Sequence, residues 1–149
     1  MNREKAYQIL TAYLKNKNLI KHCLAAEAVM KALYSRLKLR NPNESSFAKA
    51  TADTWGITGL LHDADYELAK GKPEVHGLLL FEKEPNKIPE DIAHAIISRN
   101  FENTKVMPES LMDWAITCCD QLTGLIVACA LVYPDKKLMK CDINCHYWG

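Results

Sequence analysis

A chain of 149 residues has room for one domain and none for a second core. Its 48% apolar and 25% charged residues are those of a folded globular protein, and 34 Leu and Ala against five Val argue for helices and exclude an all-β sandwich. A net charge of +1 does not steer the chain toward nucleic acid.

Residues 3–15 read as a first helix. Asn18 is placed to cap a second, in which Leu19, Cys23, Ala26, Met30, Leu33 and Leu37 recur in steps of four and three. RNPNESS, around residues 40–46, reads as a linker, after which Ser45 or Ser46 caps a third helix through Phe47 and Trp55 to Leu61. Pro73 suits the first turn of a fourth helix, KPEVHGLLLFEKE, and Pro89 that of a fifth, PEDIAHAIISRN. Pro108 opens the sixth and longest, from about Glu109 to Tyr133, which Pro134 helps to stop. Its stretch from Ile116 to Tyr133 is apolar on nearly every side, which predicts a helix running through the middle of the bundle. No segment repeats with a period of two. The expected architecture is all-α, a compact bundle of five to seven helices.

The longest unbroken apolar run, Leu125 to Tyr133, is far shorter than the roughly 20 residues of a membrane span. The opening MNREKAYQIL lacks a signal-peptide stretch, so a cytoplasmic chain with no membrane partner is expected. Its six cysteines are then expected to be reduced. Cys23, Cys118, Cys119 and Cys129 fall in apolar helical patterns, where a thiol packs as a small hydrophobe. Cys141, Cys145 and His146 form a CxxxCH cluster in the tail, with no second thiolate pair nearby to complete a structural zinc site.

Three places carry chemistry. Asp113, Thr117, Asp120 and Gly124 are spaced four, three and four along the last helix and share one face. A carboxylate on so apolar a helix needs a cation or hydrogen-bond donors beside it, and a neighbouring helix end or a metal would serve. The adjacent His62 and Asp63 end the helix of WGITGLLHDADYE. Gly59, one turn earlier on the face of Trp55 and His62, lets another backbone come close. Consecutive imidazole and carboxylate groups at a helix end can reach one ion and supply mixed nitrogen and oxygen ligation. His22 lies on the inward face of the second helix, beside Leu19 and Cys23. Each of these, taken singly, also reads as a satisfied core residue.

Their order is more informative: a histidine on an early helix, an adjacent His-Asp ending the next, and an aspartate on a late helix. The sequence resembles the HD-domain superfamily of metal-dependent phosphohydrolases, with His22, His62, Asp63 and Asp120 at the four motif positions. LIKHCLAAEAVM, WGITGLLHDADYE and DQLTGLIVACALV are each similar to the corresponding family segments, as in small bacterial HD proteins whose motif reads HD-x-DYE. The likeness covers about residues 5–138, so residues 1–149 are expected to form a single HD domain with an atypical tail over 139–149.

That resemblance implies one divalent ion (Mn, Fe, Co, Ni, Zn or Mg) held by His22, His62, Asp63 and Asp120. It implies hydrolysis of a phosphate ester, on a nucleotide or another small phosphorylated metabolite, by a water of lowered pKa. Asp63 would also orient that water, and Asp65 and Glu67 would be its general acid or base. Two-metal relatives recruit histidines from the intervening helices, where this chain has His76 and His94. HAIISRN carries Arg99 where related sequences often carry His, which predicts one metal rather than two, with Arg99 and His76 turned toward the substrate phosphate. Lys70 and Lys72 read as solvated surface. Relatives continue past DKKL with a lysine-rich helix, whereas this chain reads MKCDINCHYWG, which predicts apolar surface covered by Tyr147 and Trp148 or by a second copy in a homo-oligomer. The competing reading is an HD module that binds a metal and senses a nucleotide without turning it over.

Overall fold

The computed structural model describes residues 1–43, 47 and 50–132. The described chain is all-α: α1 (Arg3–Tyr13), α2 (Lys17–Arg40), α3 (Ala52–Leu61), α4 (Leu79–Lys83), α5 (Glu90–Arg99), α6 (Phe101–Thr104) and α7 (Leu111–Val132). A 3-10 turn covers Pro73–Val75, and no strand occurs among the described residues. Side-chain caps set the helix starts. Asn2 accepts from Lys5 N at the head of α1, and Asn16 from Asn18 N and Leu19 N at the head of α2. The second cap is thus Asn16 and not Asn18. Thr51 and Thr54 form a reciprocal capping box on α3, which starts that helix after Phe47. Ser45 and Ser46, and the tail residues Cys141, Cys145, His146, Tyr147 and Trp148, lie outside the described residues.

The most extensive helix contact is α2 on α3. Gly59 makes it close: a Cβ there would lie 2.6 Å from the Ala26 carbonyl oxygen, so only hydrogen fits between the two backbones. Trp55, fully buried, fills the gap beyond, stacked on Phe47 and met edge-on by Tyr34. Leu10, Leu14, Leu60, Leu61, Ile92 and Ile96 form a second apolar cluster joining α1, α3 and α5. The buried Glu27 carboxylate ties α1 to α2 by accepting from Arg3 Nε and Nη2, and it also accepts from Lys31. Cys23 is buried, which pushes its thiol up to about 12 and leaves it a neutral packing group.

Two expectations about the later helices are corrected. The fourth is not continuous: Gly77, at φ 91°, breaks it into the 3-10 turn and the short α4. The left-handed turn frees Gly77 N and Leu80 N to donate to the Asp65 carboxylate, and it sets Gly77 against the Ile96 carbonyl. The last helix does not run through the middle for its whole length. Met112, Ile116 and Cys119 are buried against α2 and α5, but Leu125 is 60% exposed and Val132 83%. The bundle stops short of that half, so its apolar character has no covering partner among the described residues. Leu111–Cys129 is long and apolar enough, by length and composition alone, to cross a membrane. Its first half instead carries Asp113 and Asp120 into the bundle.

Candidate metal centre

Three elements deliver the site. α2 carries His22, the end of α3 carries His62 with Asp63 immediately after it, and α7 carries Asp120. Their ligand-capable atoms all lie within 4.8 Å of one another. His22 Nε2 and His62 Nε2 are 3.1 Å apart. Asp120 Oδ1 is 3.3 Å from the first and 3.5 Å from the second, and Asp63 Oδ2 is 3.6 Å and 3.5 Å from them. Two atoms bound about 2.1 Å from one ion stand about 3.0 Å apart at a right angle and about 3.4 Å at a tetrahedral angle. The observed spacings fall close to that range.

The tautomer of His62 fits as well. Its Nδ1 lies 2.7 Å from the Gly59 carbonyl oxygen, which can only accept, so Nδ1 carries the proton. In the neutral ring Nε2 then points its lone pair into the cluster, the arrangement that metal-bound imidazoles share. His62 is fully buried, whereas His22 and Asp120 keep about a fifth of their side-chain surface, so solvent reaches the cluster from their side. This His/Asp cluster can hold a metal ion.

Charge is arranged around it. Burial works to raise the pKa of Asp63, but attraction to His62, the His76 hydrogen bond and Arg99 outweigh it and hold the carboxyl well below the ordinary range. Asp120 behaves alike: burial opposes, and the imidazoles of His22 and His62 with the charge of Arg99 prevail. The hydrogen bond to Asp120 raises His22, against the effect of its burial. Burial would lower His76, but its bonds to Asp63 and Asp65 lift it to about 9. Arg99 Nη2 stands 2.7 Å from His76 Nε2, a hydrogen bond only when that nitrogen is unprotonated, so Arg99 and the His76 proton compete for it.

The remaining expected site residues divide. His76 lies beside the cluster, with Nε2 3.1 Å from Asp63 Oδ1. Arg99 reaches Asp120 Oδ2 through Nη1 at 2.6 Å, and Asp63 Oδ1 and the His62 carbonyl through Nη2. With its side chain 9% exposed and both terminal nitrogens engaged, it is not turned outward to a substrate phosphate. Asp65 is buried behind His76, accepting from its Nδ1 and from Gly77 N and Leu80 N, so it orients that loop and does not face the cluster. Glu67 is not brought to the site: its carboxylate accepts from Lys15 N and Asn16 N at the head of α2. His94 is also elsewhere, bonded to Asp113, whose Oδ2 accepts from Glu109 N and Ser110 N at the start of α7.

Two supports went unforeseen. The Gly59 carbonyl that locks His62 was legible as a glycine three residues earlier on the same helix face. The edge-on packing of the half-exposed Tyr66 against His76, with centroids 5.5 Å apart, has no comparable signal in the sequence. The chain matches no family model, no curated protein and no solved structure.

Proposed function

We propose that this protein is a metal-dependent phosphohydrolase of the HD type, hydrolysing a phosphate ester of a nucleotide or another small phosphorylated metabolite. The observation that carries the reading is the convergence of His22, His62, Asp63 and Asp120, distant in sequence, with their ligand atoms at coordination spacing. A divalent ion bound there supplies two things, a lowered pKa for water and polarisation of a phosphoryl oxygen. The chain's own residues do the rest. Gly59 fixes the His62 ring through Nδ1, and Arg99 and His76 hold the outer oxygen of Asp63 so that its other oxygen faces inward. The exposed edges of His22 and Asp120 leave the approach for a small substrate on one side. Mn, Fe, Co, Ni, Zn and Mg all suit such a donor set. A cytoplasmic location is part of the same proposal.

The test is a phosphatase screen over nucleotides and sugar phosphates with added Mn, Co, Ni or Mg. Activity is expected with at least one ion and lost in Asp63→Ala, which removes a ligand while the chain still folds. Full metal-dependent activity in Asp63→Ala would refute the reading. Tight metal binding with no turnover in the screen would favour a nucleotide-sensing module.

A further inference from the structure

Both carboxylates of the cluster are two-sided. Asp63 turns Oδ2 and Asp120 turns Oδ1 toward the two imidazoles, while Asp63 Oδ1 and Asp120 Oδ2 both go to the Arg99 guanidinium. His76 Nε2, at 2.7 Å, and the His62 carbonyl oxygen, at 3.2 Å, also meet that guanidinium. Besides that backbone carbonyl, the cation therefore faces two carboxylate oxygens and an imidazole nitrogen, each an ordinary ligand for a divalent transition metal. Its Nε is buried with no hydrogen-bond partner among the described residues, so the group is held through its two terminal nitrogens, against the carboxylates. We propose that Arg99 is a built-in cation standing in the position of a second metal ion, and that it restricts the centre to one divalent ion per chain. The proposal rests on the metal-centre reading above and adds the position that Arg99 fills and the contacts through which it limits the number of ions.

The physical basis is charge and space. A guanidinium cannot be deprotonated in a protein, so the position stays positively charged at every working pH. A second divalent ion entering beside it would meet a like charge at contact distance in a buried setting, where repulsion is poorly screened. Arg99→His removes the fixed charge and adds an imidazole next to three waiting ligand atoms. The two carboxylates would then bridge two ions.

The experiment measures metal per chain, by elemental analysis after desalting and by calorimetric titration with Mn(II) and Co(II), together with electron paramagnetic resonance of the Mn(II) forms. Wild type is expected to hold one ion with an isolated-ion spectrum. Arg99→His is expected to hold two, with an exchange-coupled spectrum from bridged ions. Arg99→His combined with His76→Ala should return to one, and Arg99→Lys, which keeps a cation, should stay at one. Two ions in wild type, or one ion in a folded Arg99→His, overturns the proposal and leaves the metal centre standing. No ion in wild type overturns both. If Arg99→His fails to fold, the wild-type ratio and spectrum, with the Arg99→Lys ratio, decide.

Discussion

Replacing Gly59 with Ala tests whether the α2–α3 contact sets the geometry of the candidate metal centre. The new methyl group would lie 2.6 Å from the Ala26 carbonyl oxygen, 2.7 Å from its carbonyl carbon and 2.9 Å from Glu27 N. All three are backbone atoms, so no side chain can swing aside. Ordinary contact begins near 3.4 Å, so the helices must part by about 0.8 Å. Overpacking of this kind costs about 1–3 kcal/mol, here about 2–3 kcal/mol because only backbone can yield, and the better helix propensity of Ala returns about 1 kcal/mol. A net loss of about 1–2 kcal/mol should lower Tm by about 2–8 °C for a domain of this size. His22 lies one turn from Ala26 and His62 one turn from Gly59, so the same separation would stretch the 3.1 Å spacing of their Nε2 atoms. At about 3.9 Å it would approach the roughly 4.2 Å limit at which one ion can touch both, and metal affinity should fall at least tenfold. Thermal unfolding with and without Mn(II), plus calorimetric titration, reads both effects. Gly56→Ala on the same helix is the control, because its methyl group meets only the flexible side chain of Lys31 and should be tolerated. A Gly59→Ala protein that unfolds no earlier than wild type and binds metal as well would refute the reasoning.

Metal affinity should fall with decreasing pH, because the raised pKa of His22 means that a proton competes for its lone pair from above the ordinary imidazole value of about 6.5. The sign reverses for the metal-free protein: a raised folded pKa contributes stability below the unfolded pKa that is lost as pH rises through the folded one. Added metal should therefore raise Tm more at pH 8 than at pH 6, and a pH-independent increment in a thermal-shift series would contradict the assignment of His22. Asp65→Asn should destabilise the fold by about 2–4 kcal/mol, since a buried carboxylate accepting two backbone N–H groups and the His76 ring loses charge-assisted bonds. The same variant should keep one metal ion per chain, whereas loss of metal with unchanged stability would place Asp65 in the centre after all.

The helical character and the candidate ligand residues of this protein are legible in its sequence. The steps of three and four from Leu19 to Leu37, the poverty of β-branched residues and the prolines at helix starts all act over one or two turns, within reach of local reading. His22, His62, Asp63 and Asp120 stand out because a charged or ligand-capable group on an apolar helix face demands a partner. Which partner it finds depends on contacts between residues far apart in the chain. Arg99 reads locally as the last cation of an amphipathic helix, and only the packing of α5 against α7 brings it onto Asp120. Glu67, four residues past Asp63, swings instead to the head of α2, where two unpaired N–H groups attract a carboxylate. The break at Gly77 follows from the Asp65 carboxylate and the Ile96 backbone, neither visible in KPEVHGLLLFEKE itself. The apolar second half of α7 shows the same division. Hydrophobicity reports that a surface favours leaving water, but only the arrangement of the other helices decides how far along α7 it is covered.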